Sequence, residues 1–251
     1  MDVFQAVLLG IIQGITEPIP ISSSGHLILA PWLLQWREHT LTFDVALHAG
    51  TALAIVVYFW RDWTALATAL VASLRERDLA GDHRRRLVWY IALASVPGAV
   101  AGLAFEETIE NSLRAPWLVA LLLMGMGLVM LAADRTSRRY RSLHQLRLLD
   151  ALIIGLAQAL ALAPGVSRSG ITITAALFLQ VNRADAARFS FLLSGPIVVG
   201  AAIYKMAGVV RDGLPADERL PFAAGVLAAA VVGFAAIRFL LSYLQKRSLA
   251  L

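Results

Sequence analysis

Two stretches of this sequence surround charged and hydroxyl side chains with apolar residues. The first, GIIQGITEPIPISSSGH from Gly10 to His26, holds Gln13, Glu17, the hydroxyls Ser22, Ser23 and Ser24, and His26. The second, GLAQALALAPGVSRSGI from Gly155 to Ile171, holds Gly165, Ser167, Arg168, Ser169 and Gly170. A hydroxyl nucleophile needs a base within hydrogen-bond reach and a sink for developing negative charge. Ser23 or Ser24, His26 and Arg168 are residue types that supply all three. Glu17 is a second candidate base, and His26 can also act as an acid or as a nucleophile on phosphorus.

Arg168 is the only arginine in an apolar region that otherwise runs from Leu148 to Asn182. A guanidinium at the centre of a membrane helix costs roughly 2.5–3.5 kcal/mol on insertion scales, so it pairs with an acid or lines a wet cavity. Ser167 and Ser169 add hydroxyls, and Gly165 and Gly170 let backbone amides approach a ligand just before a helix starting near Ile171. Amides at a helix N-terminus beside an arginine fork make a phosphate or other anion site. The alternative is an internal salt bridge between Arg168 and Glu17. Glu17 precedes Pro18 and Pro20, which stop the helix there. With Gln13 one turn earlier on the same face, it offers oxygen ligands for a divalent cation that bridges phosphate oxygens. Asp44 and His48, one turn apart, are expected at the rim of the site or as a helix cap.

These residues must be positioned by a duplicated framework. Without a gap, Gly10, Gln13, Ser22, Ser24 and Gly25 fall on Gly155, Gln158, Ser167, Ser169 and Gly170, 145 residues later. Paired interruptions of apolar segments point to a site at a repeat interface. The copies differ where chemistry requires it: Glu17, Ser23 and His26 face Leu162, Arg168 and Ile171 in the alignment.

The framework is a membrane one, because 59% hydrophobic residues, 16% charged residues and a mean hydropathy of +0.70 lie far from a soluble average. The net charge of +5 comes from arginines clustered in two loops, the pattern that sets membrane topology, so no nucleic-acid partner is expected. Cysteine is absent, which excludes thiolate chemistry and Cys-based metal sites. Met1 and Asp2 lead straight into an apolar stretch, so no cleavable signal is expected.

About five full spans are predicted: Thr42 to Trp60, Leu87 to Phe105, Pro116 to Ala133, Ala187 to Val209 and Pro221 to Leu244. The broken segments Val3 to Trp36 and Leu149 to Val181 read as re-entrant helical hairpins. The loop from Arg61 to Arg86 and the loop from Asp134 to Arg147, with five Arg, should be cytoplasmic, and the loop with Glu106, Glu107 and Glu110 external. Three spans then separate the motifs, and an odd number inverts the second unit. The predicted fold is one all-α integral membrane domain over 1–251, with inverted repeats of about 1–115 and about 149–251.

QGITE at Gln13 to Glu17, PISSSGH at Pro20 to His26 and PGVSRSG at Pro164 to Gly170 resemble the signature stretches of the bacterial undecaprenyl-diphosphate phosphatase, or bacitracin-resistance, family. FDVALHAGT at Phe43 to Thr51, VYFWRDW at Val57 to Trp63 and ARFSFLLSGP at Ala187 to Pro196 extend the resemblance over most of the chain. It implies an enzyme of the bacterial plasma membrane that dephosphorylates an isoprenoid diphosphate released in cell-wall synthesis. By resemblance Glu17, Ser23, His26 and Arg168 are the essential groups and a divalent cation, Mg2+ or Ca2+, is required. Gln13 stands where the family has Glu or Gln, one carboxylate fewer for a metal. Family members continue past LLSYLQKRSLAL into one more transmembrane helix, whereas this sequence stops at Leu251; a homodimer is compatible with the reading.

The expected reaction is hydrolysis of the terminal phosphoanhydride at the outer side of the membrane. Ser23 is the leading nucleophile, with direct attack by water and a phosphohistidine route through His26 open beside it. Inverted broken hairpins are also transporter architecture, so a lipid-phosphate carrier or flippase is the rival. A phosphatidate-type phosphatase would need a further His three residues before an Asp downstream of Arg168, and no such pair follows.

Overall fold

The computed structural model describes residues 1–36, 39–79 and 82–249, with the side chains of 41, 106–112, 205–210 and 212 outside the description. The expected acidic cluster Glu106, Glu107 and Glu110 therefore lies outside the described side chains. All described regular structure is helical: α1 Val3–Thr16, α2 Ser23–Leu33, α3 Leu41–Tyr58, α4 Trp60–Glu76, α5 His83–Ser112, α6 Pro116–Thr136, α7 Leu148–Ala159, α8 Arg168–Phe178, α9 Arg183–Asp212 and α10 Ala216–Leu244.

Among the described residues α5, α6, α9 and α10 are long and apolar enough to cross a membrane. The pair α3 and α4, bent by 75° at Phe59, passes the same test as one broken span. The chain is a multi-pass membrane protein. Lipid is the natural solvent for α6, where Trp117, Leu121, Met124 and Leu128 are all exposed.

The loop predicted from Arg61 to Arg86 is a correction: most of it is α4. Its inner stripe of Leu66, Ala69 and Ser73 is buried, while Arg61, Thr68 and Arg75 face outward. Ser73 accepts a hydrogen bond from Trp89 Nε1 at 3.0 Å, tying α4 to α5. The 3–4 residue spacing of the small and apolar positions is the helical signal, and the flanking arginines masked it. Of the predicted Asp134–Arg147 loop, the first residues up to Thr136 belong to α6 and Leu143–Gln145 form a short 3-10 turn, and its charges are not all free. Arg183 clasps Asp134 through Nε at 2.5 Å and Nη2 at 2.7 Å, and Arg141 Nη2 lies 2.5 Å from Asp150.

Both broken segments form short helix pairs. Asp2 caps α1 by accepting from Gln5 N at 2.7 Å, and Pro18 and Pro20 end the helix after Thr16 by removing backbone donors. With 14 and 11 residues, α1 and α2 reach only about 21 and 16 Å, short of the roughly 30 Å hydrocarbon core. Helices α7 and α8, of 12 and 11 residues, are equally short.

The matched glycines show how these hairpins are seated. A Cβ on Gly10 would stand 2.3 Å from the carbonyl oxygen of Gly225, and one on Gly155 would stand 2.5 Å from that of Ala94. The first hairpin thus presses on α10 and the second on α5, each against a helix from the far half of the chain. Helices α3 and α9 pack together, and α6 touches both α2 and α8. Gly155→Ala is expected to lower stability by about 1–3 kcal/mol through overpacking, net of the better helix propensity of Ala. Gly125→Ala, with nothing within 4 Å of its added carbon, should be neutral or slightly stabilising; thermal unfolding in detergent compares the two.

Candidate active site

The two breaks share one capping pattern. Ser22 caps α2 by accepting from Gly25 N at 3.4 Å, and Ser167 caps α8 by accepting from Gly170 N at 3.0 Å. Ser22 and Ser24 hydroxyls lie 3.3 Å apart, and those of Ser167 and Ser169 lie 3.2 Å apart. Because each cap consumes the glycine amide, the first two amides of each helix are those without an intrahelical acceptor: Ser23 and Ser24 in α2, Arg168 and Ser169 in α8. The backbones differ at the cap. Ser22 adopts φ 68°, a left-handed conformation uncommon outside glycine, whereas Ser167 has φ −65°.

Glu17 joins the hairpins. Its carboxylate accepts from Arg168 Nη2 on one oxygen and from Ser23 Oγ on the other. Gln13 Nε2 donates to the second oxygen at 3.3 Å and to Thr51 Oγ1 at 3.2 Å. His48 Nε2 stands 3.5 Å from that same oxygen, with its Nδ1 2.8 Å from the carbonyl of Asp44. The Glu17 carbonyl accepts from Ser169 Oγ at 3.3 Å, and Arg168 Nη1 donates to the Ser194 carbonyl at 3.2 Å. The salt bridge that the sequence left open is therefore formed, and Glu17 and Ser23 are both buried.

Glu17, Ser23, His48, Arg168 and Ser169 line a cavity of about 290 Å3 that also receives Ser22, Ser24, Ser167, Asp44 and Arg114. Its other walls are apolar, including Val45, Leu162, Ile197, Val198 and Ala201. The N-termini of α2 and α8 both end at it, so two positive helix ends and two arginines surround one space. A charged phosphoryl group with an isoprenoid tail suits this division into polar floor and apolar wall.

Not every predicted residue arrives there. His26 lines an adjoining cavity of about 390 Å3 with Leu123, Met124, Met126 and Met130 of α6, together with Gly165 and Ser167. Its Nδ1 lies 2.8 Å from the Ser22 carbonyl, which turns the ring toward α6 while Ser23 turns toward Glu17. Gly165, at φ 99°, shapes the turn, since a Cβ there would meet the Val119 carbonyl at 2.6 Å. The amide of Gly170 serves the cap rather than the cavity. Asp44 and His48, expected at the rim, line the cavity itself. Arg114 was missed, although a lone arginine beside an acidic loop was visible as a charge against the local trend.

No group of three or more His, Cys, Asp or Glu residues able to hold a metal occurs among the described residues. Both Glu17 oxygens already accept hydrogen bonds, Asp44 is bound by His39 and Arg114, and beside them Gln13 Oε1 is a buried oxygen without a partner among the described residues.

Such an arrangement defines a class: multi-pass membrane proteins with one buried Arg–Glu–Ser centre built across two proline- and glycine-broken hairpins. The chain belongs to the bacitracin resistance protein BacA family, whose family model matches residues 6–251. It is 51% identical over 249 residues to an undecaprenyl-diphosphatase of Moorella thermoacetica, covering 99% of this chain and 91% of that protein. Undecaprenyl-diphosphatases of Pelobacter propionicus and Geobacter sulfurreducens are also 51% identical, over 251 and 250 residues, each covered to 92%.

Removing either Glu17 or Arg168 strands a buried charge. Glu17→Leu and Arg168→Leu should each cost about 3–5 kcal/mol, and the double variant should melt above both single variants because neither charge is then left unpaired. Unfolding temperatures of the three proteins check this. Strict additivity would show that the two side chains do not share their energy.

Proposed function

We propose that this protein is a membrane diphosphatase that removes the terminal phosphoryl group of undecaprenyl diphosphate, giving undecaprenyl phosphate and inorganic phosphate. The observation that carries the reading is the Ser23 hydroxyl donating to Glu17 while Arg168 binds the same carboxylate from the other hairpin. One hairpin supplies a nucleophile with its base, and the other supplies positive charge for the phosphoryl oxygens. Family membership and the names of the relatives support the substrate class.

In this mechanism Ser23 Oγ attacks the terminal phosphorus as its proton passes to Glu17. The bond from that phosphorus to the bridging oxygen breaks, and the isoprenyl phosphate leaves. Glu17 passes that proton to the departing isoprenyl phosphate; water then attacks the phosphoserine, its proton going to Glu17 and from there to Ser23 Oγ as inorganic phosphate is released. Arg168 and the free amides at the start of α8 stabilise charge on the transferring group, where most catalysis of phosphoryl transfer arises. Gln13 and His48 hold Glu17 in place from α1 and α3. The separate cavity of His26 favours the serine route over a phosphohistidine.

The expected divalent cation, Mg2+ or Ca2+, belongs in this reading to the diphosphate rather than to a resident protein site. Magnesium commonly binds through substrate phosphates with one or two carboxylates, and only Glu17 and Asp44 are at hand. The chain's two similar hairpins are assigned to inverted repeats of about 1–115 and about 149–251, a reading supported by three candidate spans between them, the bent pair α3–α4, α5 and α6. With the arginine-rich segments inside, the cavity faces the outer side of the plasma membrane.

Purified protein in detergent with Mg2+ should release phosphate from undecaprenyl diphosphate, and EDTA should abolish it. Arg168→Lys should lower kcat by about 10²–10³-fold, as loss of a well-placed charge donor does. Mass spectrometry of the acid-quenched reaction should find phosphoserine at Ser23 and none in Ser23→Ala. Turnover that persists in Ser23→Ala would transfer the attack to water.

A further inference from the structure

We propose that Arg114 is a second phosphate-binding arm of this cavity, one that holds the lipid-proximal phosphoryl group and makes the site selective for two linked phosphoryl groups over one. The inference rests on the diphosphatase reading above and deepens it.

Arg114 lies in the short link between α5 and α6, flanked by the last residue of one helix cap, Leu113, and the first of the next, Ala115. Its side chain is not constrained by a helical turn. It lines the same cavity as Glu17, Ser23 and Arg168, yet its side chain is 32% exposed against 16% for Arg168, which places Arg114 nearer the opening. The cavity therefore holds two arginines at two depths.

Each arginine is tethered to a carboxylate that keeps other partners if the arginine turns to a ligand. Glu17 retains Ser23, Gln13 and His48 when Arg168 engages a phosphoryl oxygen. Asp44 accepts from Arg114 Nη2 at 3.1 Å on one oxygen and has His39 Nε2 at 2.5 Å from the other. Releasing Arg114 leaves Asp44 still hydrogen-bonded, so the exchange does not strand a buried anion. A structural arginine would typically be its acid's main support, and here it is not.

The assignment of phosphates follows from depth. Ser23, the nucleophile, is at the buried end, so the terminal phosphoryl group lies there against Arg168 and the helix ends. The proximal phosphate, bearing the tail, then falls nearer the opening, beside Arg114 and the apolar wall of Val45, Val198 and Ala201. When the bridging bond breaks, negative charge accumulates on that departing isoprenyl phosphate, and Arg114 is placed to offset it. The step moves no additional proton and needs no further reactant.

The test is binding of two non-hydrolysable probes, inorganic phosphate and methylenediphosphonate, to the detergent-purified full chain at fixed Mg2+. Titration calorimetry should show wild type preferring the diphosphonate by about 10- to 100-fold, the range for one added charge-assisted hydrogen-bonding group. Arg114→Met should erase that preference with phosphate affinity unchanged, and Arg114→Lys should restore part of it. Arg168→Lys should weaken both probes. A wild type without preference, or an Arg114→Met protein that keeps it or loses both probes equally, overturns the proposal. Melting temperature identifies a misfolded Met variant, in which case Arg114→Lys and Arg114→Gln carry the comparison. Since binding needs no turnover, an Arg114-dependent preference in a chain that hydrolyses no lipid would sink the activity and leave the clamp. Hydrolysis with a preference indifferent to Arg114 would sink the clamp alone.

Discussion

The ion pair between Glu17 and Arg168 is the contact on which the architecture turns. Each charge alone is intolerable in an apolar interior, and each resides on a separate broken hairpin. Their pairing requires both breaks to reach one depth and one place. Around it the other features find their reason: prolines that end α1 just where Glu17 must emerge, serine caps that start α2 and α8, and a polar floor made from both. A site assembled this way is complete only when the whole chain is folded.

Helix ends add a second layer of order. Caps from Ser22 and Ser167 satisfy the glycine amides and leave the earlier amides, on residues that line the cavity, without an intrahelical acceptor. Positive backbone ends and two guanidinium groups thus gather around one space that contains two carboxylates. The balance suits exchange: an anionic ligand replaces carboxylates as partner of the arginines, and the carboxylates keep their hydroxyl, amide and imidazole donors. Glu17 is then free to receive a proton from Ser23, because the group that held it as an anion has turned to the phosphate.

Much of this was legible from composition and spacing. The two broken segments, the helical interiors of α3, α5, α6, α9 and α10 and the Glu17–Arg168 association all follow from charges placed against an apolar background. Helix α4 was hidden because its flanking arginines spoke louder than the period of Leu66, Ala69 and Ser73. The direction of the His26 ring was not legible, since adjacency to Ser23 in sequence says nothing of it and the bond to the Ser22 carbonyl decides it. His48 and Arg114 come from α3 and from a linker, and tertiary packing brings the first to Glu17 and the second, through Asp44, to the same cavity. Sequence reports distance along the chain, whereas chemistry depends on distance through space.

The crossed seating of the hairpins bears on how the protein is made. Gly10 of α1 meets Gly225 of α10, and the helix that receives α7 at Gly155 is α5, already synthesised. During translation the first hairpin therefore enters the bilayer long before its principal neighbour exists, carrying Gln13 and Glu17 with no Arg168 to meet them. The second hairpin finds its seat waiting. The early half can close on its seat only when α10 arrives. Splitting the coding sequence between the halves would separate every hairpin from its seat, so the two units, alike as they are, cannot be expected to live as independent proteins.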